Sequence, residues 1–260
     1  MTKPAVLAIA AHPDDIELMM AGTLLRLGEA GYSLHMLNIA NGCCGSMTMD
    51  ARTTAETRWQ EAQAAAAALG AAMHPPLCND IEIVYEAGLL RKVAAIVRAV
   101  SPSIVLAQSP VDYMEDHTNA CRLAVTAAFV RGMPNYETDP PLAPVPGEVT
   151  LYHALPWGLR GPLGERITAT HFVDIAPAMK QKREALAAHA SQKEWLDETQ
   201  GLDSYLVTME DMAGRVGEMS GIFQHAEGWR KHLHLGFCGE NDDPLRAVLG
   251  DAVRVRQDCP

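Results

Sequence analysis

Apolar residues in this chain fall into short continuous runs separated by stripes of helical period. Val6 to Ala10 is unbroken, the pattern of a strand buried on both faces. From Ile16, the positions Ile16, Met19, Met20, Thr23, Leu24 and Leu27 recur at helical spacing, and Gly31 marks the end. LHMLNIA (34–40) reads as a second strand and NGCCGS (41–46) as a turn-rich loop. Trp59, Ala62, Ala66 and Leu69 make a helical stripe closed by Gly70. Leu89, Leu90, Val93, Ile96, Val97 and Val100 make another, stopped at Ser101-Pro102, and Ile104 to Ala107 is again a buried strand. A further helix runs through Cys121, Val125, Ala128 and Phe129. This alternation predicts an α/β fold, Rossmann-like, with a mostly parallel sheet and helices on both faces.

Composition breaks once, at residues 133–148 (MPNYETDPPLAPVPGE), whose five prolines predict an excursion loop over the site. Beyond it, TLYHALP (150–156) and HFVDI (171–175) read as strands. Pro177 to Gln192 reads as a helix, and another runs from about Ser204 into the 220s. The tail from Glu240 is weakly patterned. We read one α/β domain over residues 1–260, with residues 176–260 as a helical and loop extension packed on the core.

Charge narrows the function. Lys plus Arg number 21 against 32 Asp plus Glu, a net charge of −11, with no basic run. That balance argues against nucleic acid or an anionic membrane as partner. No apolar stretch approaches a membrane span, and the N-terminal run stops at His12, too short for a signal peptide. The six cysteines form no CxxC pair. A cytoplasmic protein with reduced thiols is expected.

The first buried strand ends in AHPDDIE (11–17), and ligands of open α/β sheets sit beyond such strand ends. His12 and Asp15, three apart on a tight turn, can both face one cation, while Asp14 projects differently and is free to act on a water. An acid before a helix also serves simply as its cap. Capping accounts for one carboxylate, not for a histidine with two adjacent acids, which repel unless something positive is present. A third ligand is expected from another strand end. SPVDYMEDH (109–117) occupies that place, offering His117, with Asp116 beside it to orient a ligand histidine.

On these residues the chain resembles the zinc-dependent de-N-acetylases of the LmbE-like or PIG-L family. Their motif (A/P)-H-P-D-D-x-E is matched throughout by AHPDDIE. Their middle motif, an Arg and a Glu on a helix ending Leu-Gly, resembles ETRWQEAQAAAAALGA (56–71). Their H-P-D-H is matched only in its second half by MEDH (114–117). The resemblance covers residues 5–130, with a loose AEGW (226–229) beyond. It implies His12, Asp15 and His117 as ligands of Zn2+ (or another divalent metal such as Fe2+), and Asp14 as general base. Arg58 would contact a substrate oxygen, Glu61 could pair with Arg58, and Glu17 would fix the motif loop by hydrogen bonds. The implied substrate is a small N-acetylated amino sugar or glycoside, and closed homo-oligomers are common in the family.

Met114 stands where the family places a histidine that stabilises the tetrahedral intermediate. Its thioether has no proton to donate, and losing one oxyanion donor costs on the order of a hundred- to a thousandfold in turnover. Tyr113 is the nearest replacement donor, with Met114 itself left to contact substrate. Two alternatives stay open: a non-catalytic metal- or sugar-binding member, and a hydrolase of another acyl amide. HAEGWRKHLHLGF (225–237) reads as a loop over the site, a subunit contact, or an edge strand at 232–235.

Overall fold

The computed structural model describes residues 3–192 and 205–256. In chain order the elements are β1 (Ala5–Ala10), α1 (Asp15–Met19), α2 (Ala21–Glu29), β2 (Ser33–Asn38), α3 (Ala51–Leu69), β3 (Ala72–His74), α4 (Ala87–Val100), β4 (Ile104–Ala107) and α5 (Glu115–Val130). There follow β5 (Thr150–Ala154), β6 (His171–Asp174), α6 (Met179–Ala187), α7 (Tyr205–Ser220), β7 (Ala226–Lys231), α8 (Pro244–Leu249) and β8 (Val253–Val255).

Eight strands form one sheet in the order β3-β2-β1-β4-β5-β7-β6-β8. The first five are mutually parallel, and the last three are joined by antiparallel pairings. Two-residue periodicity sorts the side chains. Val6, Ala8, Ala10, Ile104 and Leu106 face a core shared with α2, α3 and α6, while Leu7, Ile9, Val105 and Ala107 face one shared with α4 and α5. Because both faces are covered, β1 and β4 are apolar at every position, as their sequences predicted.

Helix ends follow local chemistry. Asp50 accepts the Thr53 N–H to start α3, and Gly70, at φ 69°, ends it. Glu86 accepts from Gly88 and Leu89 to start α4. The stripe from Ile16 to Leu27, expected as one helix, is broken at Met20 (φ −134°). The cause lies far along the chain. Glu227 accepts the Gly22 and Thr23 N–H groups at 2.8 and 2.7 Å, and Lys182 donates to the Leu18 carbonyl at 2.8 Å and to Glu227. This pair seals the end of α1 and the start of α2 separately.

Other differences have physical reasons. The strand near the C-terminus is Ala226–Lys231, not 232–235, because AEGW must run beside β6 for Glu227 and Trp229 to reach α2. The weakly patterned tail forms α8 and β8, each too short to show periodicity. The proline-rich segment 133–148 does not cover the site. Arg98 on α4 binds the Met133 and Leu142 carbonyls at 2.8 and 2.7 Å and holds it along that helix. The helix expected over 177–192 is regular only over Met179–Ala187, and the expected start at Ser204 lies outside the described residues. No described helix is long and apolar enough to cross a membrane.

Candidate metal centre

The strand order reverses between β1 and β4, because the chain crosses β1 on its way from β3. A crevice opens beyond the carboxyl ends of those two strands. The loop after β1 brings His12, Asp14 and Asp15 to it, and the segment after β4 brings Asp112 to His117. Three groups expected from sequence meet there. His12 Nδ1 lies 3.3 Å from His117 Nε2, and the Asp15 carboxylate lies 3.6 Å from the first and 3.5 Å from the second. All three are buried, and their ligand atoms lie within 4.8 Å of one another. Asp14 makes this turn at φ 107°, a left-handed conformation that non-glycine residues hold only at a cost. It makes no cap hydrogen bond, so capping does not explain it.

Carboxylates fix both rings. His12 Nε2 faces Asp80 at 2.9 Å and Asp116 at 3.2 Å, and His117 Nδ1 faces Asp112 at 3.0 Å. Those contacts hold a ring proton on each outer nitrogen, so a cation that displaced the inner protons would meet the lone pairs of His12 Nδ1 and His117 Nε2 at the crevice. Asp116 therefore orients His12 rather than its neighbour His117. It also accepts the N–H of Ile81 at 2.9 Å, a β-branched residue held at φ 63°. Sequence reasoning missed Asp80, in the loop between β3 and α4, and Asp112, whose one local sign was its place five residues before His117.

The electrostatics suit a cation. Burial opposes charge on His12, but Asp116, Asp15 and Asp80 outweigh it and raise its pKa well above the usual value. His117 is raised in the same way, with Asp15 and Asp112 overcoming burial. Burial pushes Asp15 up, yet His117 and His12 hold it below the ordinary carboxylate range. Three buried donors that keep their charge or lone pairs aimed at one point are the donor set of an N/O-ligated divalent metal.

Asp14 sits beside them with a different environment. Burial raises its pKa to about 6 against the pull of Arg58, whose Nη2 lies 3.7 Å from Oδ1. Tyr205, from the start of α7, donates its phenol proton to Asp14 Oδ2, a partner the sequence did not reveal. Arg58 lines the cavity, but it donates to the Pro13 and Gly42 carbonyls at 2.6 and 3.2 Å. Glu61 does not pair with it; Glu61 accepts from the Ser191 N–H and hydroxyl at 2.9 and 2.6 Å. Among the described residues the buried Glu17 carboxylate finds no hydrogen-bond partner, so it does not fix the motif loop as expected; it faces His189 at 3.4 Å. Met114 lines the cavity, its N–H donating to Asp112 at 3.2 Å. Tyr113 stands edge-on to the His117 ring, and burial raises its phenol pKa so that it keeps its proton.

The cavity holds about 170 Å3 and is walled on one side by these aspartates. Its other wall is apolar, with Leu18, Met19, Leu155 and Trp157.

The chain is similar to known proteins over most of its length. The family model described as GlcNAc-PI de-N-acetylase, PIG-L, matches residues 7–129. The diacetylchitobiose deacetylase of Thermococcus kodakarensis is 28% identical over 233 residues, covering 86% of this chain and 82% of the relative. The 4-oxalmesaconate hydratase of Pseudomonas putida is 28% identical over 141 residues, 51% of this chain and 55% of that one. Among solved structures, the N,N'-diacetylchitobiose deacetylase of Pyrococcus horikoshii superposes with a TM-score of 0.74 at 24% identity, covering 89% of this chain and 84% of its own.

Proposed function

We propose that this chain, a homologue of the PIG-L de-N-acetylases through residues 7–129, is a metal-dependent amide hydrolase that removes acetate from a small N-acetylated amino sugar or glycoside. The observation that carries the reading is the buried convergence of His12, Asp15 and His117 with Asp14 beside them. These three would hold the metal, Zn2+ in the first instance or Fe2+. Such a cation, when bound, supplies Lewis acidity that makes a water available as nucleophile near neutral pH.

Asp14 takes the proton from the attacking water and returns it to the leaving nitrogen, so amide plus water becomes acetate plus free amine. Tyr205 and Arg58 keep its carboxylate in place for both transfers. Asp80 and Asp116 hold the His12 ring, and Asp112 holds His117. Tyr113 retains a proton to offer the oxyanion where Met114 has none. A cavity of about 170 Å3 suits the acetamido group, leaving the rest of the substrate across the apolar rim. The absence of a donor at Met114 favours, as a second reading, the water addition named for the hydratase relative. Its carboxylated substrate would face Asp14, Asp15, Asp80 and Asp112, while the only guanidinium that the described residues bring to the wall, that of Arg58, is engaged by backbone carbonyls. Repulsion therefore favours a neutral amide.

Asp14→Asn is the test. It should keep one bound divalent metal per chain by elemental analysis and lose acetate release from N-acetylglucosamine-type substrates. Unchanged turnover removes the base assignment, and absence of metal after reconstitution removes the triad. Metal-loaded wild type that binds such sugars without releasing acetate is the non-catalytic alternative. Met114→His should raise turnover if an oxyanion donor is what the site lacks.

A further inference from the structure

A second, larger cavity of about 530 Å3 shares a wall with the first. After β4, Gln108 and Ser109 line the metal-centre cavity while Pro110 lines the second. Its other walls come from α5 and from the ends of β5 and β7. In the β5–β7 register His153 pairs with Arg230, so both side chains leave the same face of the sheet. Arg122, on α5, brings a second guanidinium, stacked 4.4 Å from the centroid of the Tyr85 ring.

Charge is the unusual feature of this cavity. In a chain of net charge −11, no carboxylate among the described residues lines it. The Arg230 guanidinium makes no hydrogen bond or ion pair with any described residue. Arg122 reaches only the side-chain oxygen of Asn119, at 3.5 Å. Lys231 also lines the cavity; its ammonium keeps its charge, but its hydrogen bonds go to the Glu240 and Asp242 carbonyls. The imidazoles are neutral spacers. His153 Nδ1–H donates to the Gln108 carbonyl at 3.1 Å, so its Nε2 must accept from His232 Nδ1–H at 2.9 Å. Two guanidiniums without counter-charge, over a wall of Val125, Pro110 and Leu233, match a small organic molecule with one oxyanion and an apolar part.

We propose that this second cavity is a binding site for a small carboxylate- or phosphate-bearing molecule, recognised by Arg122 and Arg230. Guanidiniums favour such groups because their planar forks match paired oxygens. The site does not depend on the hydrolase reading, since none of its recognition groups belongs to the metal centre.

Inorganic phosphate is the probe, titrated calorimetrically into the full chain at low ionic strength. Saturable binding is expected, weakened at least about tenfold in Arg122→Ala/Arg230→Ala. His117→Ala, which removes a group of the metal centre, should leave that binding unchanged. Three outcomes overturn the proposal: no saturable binding to wild type, an unchanged Kd in the double variant, or loss of binding in His117→Ala instead. Inhibition kinetics then separate two sources of the same chemistry. If the oxyanion belongs to the substrate, phosphate competes with acidic N-acetylated substrates and not with neutral ones. If it belongs to a separate effector, phosphate affects both alike.

Discussion

Replacing Lys182 by methionine should destabilise this protein more than any comparable exposed change, and the reason lies in what its ammonium touches. Lys182 and Glu227 are 1% and 4% exposed. Glu227 divides its oxygens between the Gly22 and Thr23 N–H groups and the ammonium, which also donates to the Leu18 carbonyl. Lys182→Met leaves a buried carboxylate with two backbone donors and no counter-charge. Breaking a buried pair by removing one partner costs about 3–5 kcal/mol. The first N–H groups of α2 carry partial positive charge, which retains part of the carboxylate's stabilisation and favours the lower figure. Glu227→Gln should cost a similar amount by stranding the ammonium. Because each single change exposes the same loss, the double variant should cost clearly less than the sum. Urea unfolding at pH 7 measures all three, and thermal midpoints should fall by roughly 6–20 °C in the single variants. Single costs under about 1 kcal/mol, or strict additivity, would refute the claim that this pair breaks the helix at Met20.

Three further outcomes follow from local geometry. Tyr205→Phe removes the phenol that holds Asp14 Oδ2 and should cost about 1–3 kcal/mol in urea unfolding, with kcat falling and KM for the N-acetylated sugar unchanged. Gly42 and Gly70 both adopt φ 69°, but a Cβ at Gly42 would lie 2.5 Å from Arg58 Nη1 and one at Gly70 would meet nothing. Gly70→Ala should therefore lose only the roughly 1–2 kcal/mol of a left-handed alanine, and Gly42→Ala visibly more, with equal losses counting against the packing of Arg58. Burial, assisted by His232 and Arg230, lowers the pKa of His153 to about 4. Its folded value lies below the unfolded one near 6.5, so its contribution is complete above pH 6.5 and is lost as pH falls toward 4. From pH 7 to 5 the loss should be about 2 kcal/mol, and a His153→Gln variant should show that much less pH dependence in urea unfolding.

What the sequence revealed of the site, and what it hid, divides by range of interaction. AHPDDIE was legible because the candidate ligands, the candidate base and the turn lie within one contiguous segment, and a charge cluster after a buried strand is conspicuous. His117 was legible as the same kind of strand-end signal on β4. Asp80 and Asp112 were not, because an isolated acid in a loop carries no period and gains meaning only when folding brings it to an imidazole nitrogen. Tyr205 joins Asp14 across 191 positions, and the break at Met20 is imposed by residues 182 and 227. β3 and β8 are three residues each, too short to establish an alternation. The hidden residues are nonetheless what turns a motif into a site. Among the described residues, Asp14, Asp15, Asp80, Asp112 and Asp116 face the imidazoles of His12 and His117, with His189 acting on Asp14, and the Arg58 guanidinium, which is bound to backbone carbonyls. Five buried carboxylates repel one another unless positive charge is gathered among them, and the raised histidine pKa values measure that demand. On the proposed reading, a divalent cation held by His12, Asp15 and His117 would meet it with the histidines neutral and would leave Asp14 free to exchange a proton with water.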